Sequence, residues 1–335
     1  MIKKLVLVFV AFITIQSYAQ QGTASPYSFY GIGSLKFKGT VENRSMGRLS
    51  IYTDSIHINL RNPASYATEN LNSSRFNGES RPVKYTVGGG FTNLNLKSEA
   101  STAKVSSASF NYLAFSIPVG RFGVGVSILP HTSVGYKLEN LSDDGDLINQ
   151  YRGEGGLNKV NLGVGYLITK GLSVGIDANY NFGNIQNNIV EYSYDSDGLI
   201  LQYQSKEINR SDLSGVNFNL GLSYKTKISN SLELISGLTY APKSNLASSN
   251  QRIISTITIN PSTGTEFTVN SFDADLDALG LESTDLTLPS KLTFGAGIGE
   301  PRSWFVGAEY TAMDTSVFFN PLYSTTSTKY ENSYK

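Results

Sequence analysis

Two stretches of strictly alternating apolar and small or polar residues, joined by a tight turn, stand out in the middle of the chain. Their apolar positions are Leu162, Val164, Tyr166 and Ile168 before residues 169–171, and Leu172, Val174, Ile176, Ala178 and Tyr180 after them. Successive side chains of a strand point to opposite faces, so each stretch predicts a strand with one apolar face. That face is the core in a soluble sandwich, whereas in an outer-membrane barrel it meets lipid.

The same alternation recurs along the chain. It predicts strands at about 83–93, 105–119, 121–137, 158–169, 171–185, 212–227, 231–242, 287–299 and 303–313, with a tenth near Lys329. Short connections at residues 120–121, 170–171, 229–230 and 300–302 alternate with long ones at 94–104, 138–157, 186–211, 243–286 and 314–328. This sorting places all short turns on one side, which is typical of outer-membrane barrels. The longest connection, 243–286, predicts a functional loop with a short helix over the barrel mouth.

The apolar face of the predicted strands carries no charged residue, and Phe115, Phe218 and Phe294 are typical members of it. A lysine or arginine at the bilayer midplane costs about 2–4 kcal/mol, so lipid contact explains this exclusion. The opposite face carries Asp177, Lys225, Glu233, Lys291 and Glu309. A sandwich would expose those charges to water, so charge alone leaves both interpretations open.

Residues 1–19 have the pattern of a secretory signal. Lys3 and Lys4 precede an apolar run, and Ser17-Tyr18-Ala19 provides a cleavage site between small residues. The run is shorter than the roughly 20 residues that a membrane helix needs, although an uncleaved anchor is an alternative. The mature chain therefore leaves the cytoplasm, and we expect either a soluble exported protein or a barrel.

Residues 20–72 lack sustained alternation but contain many apolar side chains. We expect this segment to lie inside the barrel of residues 73–335 as a hatch, while a periplasmic tail is the alternative. Within it, residues 50–59 alternate more like a strand. The apolar side chains predicted to bind a ligand there and in the lumen are Tyr27, Phe29, Tyr30, Ile32 and Phe37.

The composition narrows the function classes. The chain has no Cys, and its 27 Lys and Arg balance its 27 Asp and Glu, which argues against a nucleic-acid partner. Its two histidines, His57 and His131, are far apart and accompany no acidic residues at metal-ligand spacing, so no metal site is predicted. We see no nucleophile motif and no phosphate loop either, and therefore expect no enzyme activity and no cofactor.

Two sets of residues resemble the FadL/TodX family of outer-membrane transport proteins. Arg44-Ser45-Met46-Gly47-Arg48, followed by Leu60-Arg61-Asn62-Pro63-Ala64, is similar to the glycine turn and the Asn-Pro-Ala motif of that family's N-terminal hatch. The run from Leu288 to Gly295, continued at residues 305–311, is similar to its late hairpin. Ala-Gln-Gln at the end of the signal and the Tyr- and Asn-rich strands resemble the Bacteroidota branch.

The resemblance implies an all-β fold, a transmembrane antiparallel up-and-down barrel of about 14 strands with the hatch inside. About ten strands are visible here, and the chain ends at Tyr334-Lys335 without the family's terminal aromatic strand, so we expect a truncated sequence. Gly47, Asn62, Pro63 and Ala64 would be the hatch motif.

The function implied is passive uptake of hydrophobic molecules, such as long-chain fatty acids, through the outer membrane. In this family a kink in the third strand opens the wall sideways, and Pro130 in the third predicted strand fits that lateral gate, although a simple bend explains it equally well. The expected partners are outer-membrane lipids and a hydrophobic ligand. A barrel that does not transport, and instead serves a protein secretion or surface-attachment system as an accessory subunit, is the alternative; a porin comes next.

Overall fold

The computed structural model describes residues 23–53, 56–67, 83–97, 102–260, 262–301, 303–318 and 331–335. The predicted signal peptide lies outside these residues. Within the described part, no helix is both long and apolar enough to span a membrane.

Strands make up most of the described chain. They are β1 (Ser34–Leu35), β2 (Lys84–Lys97), β3 (Thr102–Val119), β4 (Phe122–Pro130), β5 (Thr132–Leu141), β6 (Leu147–Leu167), β7 (Leu172–Glu191), β8 (Gln204–Lys227), β9 (Glu233–Ala241), β10 (Ser244–Ile259), β11 (Glu266–Asp273), β12 (Ser283–Leu288), β13 (Lys291–Glu300), β14 (Trp304–Met313) and β15 (Ser333–Tyr334). The helices are short: α1 (Val41–Ser45) and the 3₁₀ helices Pro26–Phe29, Pro63–Ala67 and Thr315–Val317.

The strands form one large antiparallel sheet in the order β2-β3-β4-β6-β7-β8-β9-β13-β14-β15. This path of ten strands agrees with the ten expected from the alternation. Three further strands continue members of the path after a short interruption: β5 continues β4, β10 continues β9, and β12 leads into β13. A proline lies at each interruption, namely Pro130, Pro242 and Pro289. Proline cannot donate to a ladder, so strand pairing is readily interrupted at these positions.

The central strands are longer than a membrane requires. β6, β7 and β8 contain 21, 20 and 24 residues, about twice the 9–11 that span a bilayer. The long connections predicted at 138–157 and 186–211 are therefore largely strand, and that prediction was wrong. Alternation failed there because polar residues occupy adjacent positions and therefore both faces, as at Asn149 and Gln150 on β6 and at Gln186 and Asn187 on β7.

Residues 243–286 also differ from the prediction of a loop with a short helix. They form β10, β11 and β12, with β10 pairing to β8 on one side and to both β11 and β12 on the other. The segment is rich in Ser, Thr, Asn and Ile, which disfavour helix, and the Thr and Ile favour strand pairing. In contrast, the described parts of residues 50–59 form no regular strand.

The two faces of the sheet have opposite character. Apolar side chains point outward along neighbouring strands: Phe115 is 45% exposed, Phe218 47% and Phe294 56%. The charged positions lie on the inner face and are enclosed, since Asp177 is fully buried and Glu309 forms an ion pair with Arg61. An apolar exterior around a polar interior is the arrangement of a membrane barrel and the reverse of a soluble sandwich.

Candidate functional site

The first feature of the interior is a row of inward-facing glycines near the short turns, which we call the glycine belt. Its members are Gly123 and Gly125 on β4, Gly163 and Gly165 on β6, Gly175 on β7, Gly221 on β8, Gly237 on β9, Gly295 on β13 and Gly307 on β14. A Cβ on Gly175 would lie 2.4 Å from the carbonyl carbon of Pro63, and one on Gly123 would lie 1.8 Å from the carbonyl oxygen of Tyr66. The N-terminal segment, by which we mean described residues 23–67, therefore packs directly on the strand backbones.

The Asn-Pro-Ala motif lies at the centre of this packing. The Asn62 side chain donates to the Leu222 carbonyl oxygen at 3.0 Å and accepts from the Ala64 backbone N–H at 3.0 Å. Pro63 begins the 3₁₀ helix that carries Tyr66. Gly47 lies elsewhere, in a left-handed turn at φ 66°, where a Cβ would contact nothing within 4 Å. The structure thus separates Gly47 from the other three residues of the predicted hatch motif.

The next inward positions, further from the short turns, carry polar side chains and form what we call the polar belt. Its members are Lys159 and Asn161 on β6, Asp177 and Asn179 on β7, Asn217 and Asn219 on β8, Thr239 on β9, Lys291 and Thr293 on β13, and Glu309 and Thr311 on β14. Hydrogen bonds connect neighbours across strands, for example from Asn161 Nδ2 to Asn179 Oδ1 at 2.9 Å. Buried polar groups are stable only when paired in this way.

Two ion pairs join the N-terminal segment to the polar belt. Lys38 Nζ lies 3.0 Å from Asp177 Oδ2, and Arg61 Nη2 lies 2.8 Å from Glu309 Oε1. Glu309 also accepts from the backbone N–H of Ser50. The Asp177 side chain is fully buried and the Glu309 side chain is 9% exposed, so these pairs hold the segment at defined positions rather than as loose surface contacts.

Three guanidinium groups surround one aromatic ring in the segment. Those of Arg44, Arg48 and Arg61 lie 5.6, 5.4 and 5.6 Å from the centre of the Phe37 ring. Cations at this distance from an aromatic face are attracted to it. Phe37, predicted as part of an apolar ligand surface, is therefore surrounded by positive charge.

A cavity of about 530 Å³ lies between the N-terminal segment and the polar belt. Of the five predicted ligand-binding residues, Tyr30, Ile32 and Phe37 line it. The other two do not: Tyr27 is 78% exposed, and the Phe29 ring packs edge-on against Tyr136 at 5.3 Å.

The lining of the cavity is strongly cationic, which sequence reasoning missed. Seven cationic residues line it, and no Asp or Glu does so among the described residues: Lys36, Lys38, Arg48, Arg61, Lys159, Lys291 and Lys335. Burial, with a smaller contribution from Arg44, lowers the pKa of Lys36. The inward position of Lys291 was readable from alternation, but four of the seven cations lie in the irregular N-terminal segment, where no periodicity shows which way a side chain points.

The wall is interrupted beside this cavity. On the side facing β4, β3 pairs only from Leu113 to Val119, and among the described residues nothing pairs with that side between 102 and 112. Pro130 is the last residue of β4. The continuation β5 pairs with β6 on one edge and with the two-residue β1 on the other. The interruption of the strand at His131 thus leaves a gap between β3 and β5, and the N-terminal segment partly occupies this gap.

Strand β6, which faces this interruption, contains two glycines with unusual backbone conformations. Gly155 and Gly156 of β6 have φ of 107° and 138°, values that other residues rarely adopt. A Cβ on Gly156 would lie 2.5 Å from the Thr132 carbonyl oxygen. The His131 backbone N–H donates to the Leu157 carbonyl oxygen at 2.7 Å, which fixes the bend. Among the described residues no group of His, Asp or Glu has the arrangement of a metal site.

Comparison with known proteins relates this architecture to transporter barrels. The toluene transporter TodX of Pseudomonas putida is 15% identical, with 85% of this chain and 72% of that chain covered at a TM-score of 0.52. The toluene transporter TbuX of Ralstonia pickettii is also 15% identical, with 89% and 73% covered at a TM-score of 0.47. No curated protein matches the sequence. The likeness to TodX confirms the prediction of an antiparallel barrel fold.

The family of the chain follows from its sequence. The family model described as BamG matches residues 1–335. Since this match extends over all residues, the chain belongs to the BamG family.

Proposed function

We propose that this barrel lies in the outer membrane and gives passage to molecules with a large apolar part, which enter the interior cavity and leave through the gap beside β5. The fold likeness to TodX and the apolar exterior support a membrane location. In this proposal the N-terminal segment is the hatch, and Pro130 marks the lateral gate.

The observation that carries the proposal is the position of the cavity at the wall break. Leu35 and His131 both line the cavity, and His131 is the residue between β4 and β5. The backbone N–H of Lys36 donates to the His131 carbonyl oxygen at 2.9 Å, so the segment and the break are in direct contact. A ligand in the cavity is therefore next to the part of the wall that lacks ladder hydrogen bonds.

The packing of the interior supports a sideways route. Toward the short turns the lumen is filled, because the segment lies on the glycine belt with no space for even a methyl group at Gly175 or Gly221. A route along the barrel axis would require that packing to separate. A route through the gap requires that β1 leave the edge of β5, where two residue pairs hold it, and that the hydrogen bond from Lys36 to His131 break.

A reversible cross-link tests this route. Ser34 of β1 and Ser133 of β5 are directly opposite in an antiparallel pair, and the chain contains no Cys. We expect the oxidised double variant Ser34→Cys/Ser133→Cys to stop uptake of an apolar fluorescent probe into vesicles, and reduction to restore it. The matched control is Ser173→Cys/Ser223→Cys, an opposed pair on β7 and β8 away from the gap. Equal uptake by the oxidised and reduced gap variant would reject the lateral route.

An accessory role is a second candidate function. The family name BamG suggests a partner role in outer-membrane assembly. The strand extensions of β6, β7 and β8 beyond bilayer length would offer a surface for a partner protein. Purification in mild detergent separates the candidates: a stoichiometric outer-membrane protein partner, together with no probe uptake by the reduced gap variant, would favour the accessory role.

A further inference from the structure

Among the described residues, the cations that line the cavity outnumber the carboxylates beside them. Asp177 interacts with Lys38 and Lys159, and Glu309 interacts with Arg61 and Lys291. Each carboxylate is therefore shared between two cations. With Arg48, these five cationic side chains face two carboxylates, which leaves an excess of three positive charges within this set of described residues. Lys36 and Lys335 line the cavity as well.

The cations of the cavity are close enough to interact with one another. Lys159 repels both Lys38 and Lys291 electrostatically, and Lys291 in turn repels Arg61. Lys159 is only 7% exposed, and the next inward residue on the same strand is the buried Leu157. Like charges held together in a confined space are unfavourable, and an anion bound among them would stabilise them.

One part of the remaining lining is apolar and continuous with a buried hydrophobic cluster. Ile32 and Leu288 line the cavity and belong to a buried cluster that also contains Val134, Leu157 and Leu246. Leu35 and Phe318 extend this apolar side. One side of the cavity thus suits hydrocarbon, while the other suits negative charge.

We propose that the cavity binds an amphiphile whose head carries two or more negative charges, with the chemistry of a phosphate monoester. A phosphate monoester carries about −1.5 to −2 charges at pH 7 and three acceptor oxygens, which matches the Arg48 guanidinium and the Lys159 and Lys291 ammonium groups. Guanidinium and ammonium groups are the usual protein partners of phosphate. A single carboxylate would leave two of the three excess charges unpaired.

This inference names the ligand class of the proposed transport site and rests on that proposed function. It is tested by isothermal titration of the full chain in detergent with hexyl phosphate, hexanoate and hexanol, which share one tail. We expect hexyl phosphate to bind at least about tenfold more tightly than hexanoate, since each charge-assisted contact contributes about one order of magnitude. Hexanol binding as tightly as hexyl phosphate would overturn the proposal.

Variants locate the head group. Lys159→Gln and Lys291→Gln should each weaken hexyl phosphate binding about tenfold and leave hexanol unchanged, whereas Lys104→Gln, at an exposed position on β3, should alter neither. Lys291→Arg keeps the charge and should retain binding, which separates charge from folding. Unchanged hexyl phosphate affinity in both glutamine variants would overturn the assignment.

Two further arms identify the source of the phosphate and separate this inference from the transport route. Inorganic phosphate that binds as tightly as hexyl phosphate supports a free phosphate ligand and overturns the amphiphile, while much weaker binding supports a phosphate-bearing amphiphile. Binding in detergent is independent of the gap. Tight hexyl phosphate binding with no effect of the Ser34–Ser133 cross-link on uptake therefore keeps the ligand class and rejects the route.

Discussion

The glycine belt and the polar belt lie on the same face of the strands that they share, β6 to β9, β13 and β14, yet one is filled and the other encloses a cavity. Strand β7 shows the contrast over five residues, Gly175 to Asn179. Gly175 touches the backbone of Pro63 and Ala64, Asp177 pairs with Lys38, and Asn179 lines the cavity. The inward residues of this strand thus have three different environments in succession: a tight backbone contact at Gly175, a salt bridge at Asp177 and the open cavity at Asn179.

This comparison teaches that the size of the inward residue, rather than the strand pattern, decides where the N-terminal segment packs. Strand backbones present their full surface where the inward residue is glycine, so another chain can lie against them. Where the inward residue is Asn, Thr or Lys, the side chains keep the segment away and the space becomes a polar cavity. The same alternation therefore produces both a closed and an open level of the lumen.

Filling the glycine belt should have the largest effect on stability. In Gly175→Ala the new methyl group would lie 2.4 Å from the Pro63 carbonyl carbon and 2.5 Å from the Ala64 nitrogen, which are backbone atoms. Overpacking of this kind destabilises by about 3 kcal/mol when the backbone must move. Urea unfolding in detergent, followed by the fluorescence of Trp304, the chain's one tryptophan, measures the change.

The matched control for this substitution is Gly89→Ala on β2. A Cβ there would be in ordinary contact, 3.5 Å from the Ser109 carbonyl oxygen. We expect no loss of stability in this variant, because alanine loses less backbone entropy than glycine on folding. If both variants lost the same stability, tight contact with the N-terminal segment would not be the reason for the glycine belt.

The sequence predicts the two faces of the wall well, because alternation depends only on local geometry. The inward position of Gly163, Gly165 and Lys291 follows directly from it. The partners of those residues do not, since Gly175 meets Pro63 across more than one hundred residues and no period connects them. Tight packing is therefore visible in the sequence only as a preference for small inward residues.

The interruptions of the wall are only partly predictable from the sequence. Pro130 falls inside a predicted strand and indicates a bend, while Pro242 and Pro289, which lie at equivalent interruptions, fall at the ends of predicted strands. All three carry the same local signal, the loss of a ladder donor. Whether such a break opens a gap depends on the neighbouring strand. β10 and β12 pair with each other beyond their breaks, but on the edge away from β6, β5 pairs only with the two-residue β1 among the described residues.

Removing the buried charge of the polar belt should have the next largest effect. Asp177 is fully buried and its partner Lys38 is one quarter exposed. Asp177→Asn keeps the shape of the side chain but leaves Lys38 and Lys159 without their shared carboxylate. Because Lys38 is partly exposed, we expect the free energy of unfolding to fall by somewhat less than the cost of about 3 kcal/mol for breaking a fully buried pair. The control is Asp212→Asn, because the Arg210–Asp212 pair at 3.0 Å is exposed and such pairs contribute about 0–1 kcal/mol. Equal urea midpoints for both variants would contradict the buried role of Asp177.

The smallest effect should come from the hydroxyl of Tyr66, where the two belts meet. The Tyr66 ring lies where side chains on Gly125 and Gly163 would be, and its oxygen has no hydrogen-bond partner among the described residues. Tyr66→Phe should therefore change the free energy of unfolding by less than about 1 kcal/mol at pH 7.

Burial first, and then the charge of Asp177, raise the pKa of Tyr66 well above 10.0. Above pH 10 the unfolded phenol ionises while the folded one stays neutral, so the wild-type protein loses stability as pH rises, and the variant should lose less. Urea unfolding at pH 7 and pH 11 measures both effects, and a large loss at pH 7 would reveal a partner for the hydroxyl.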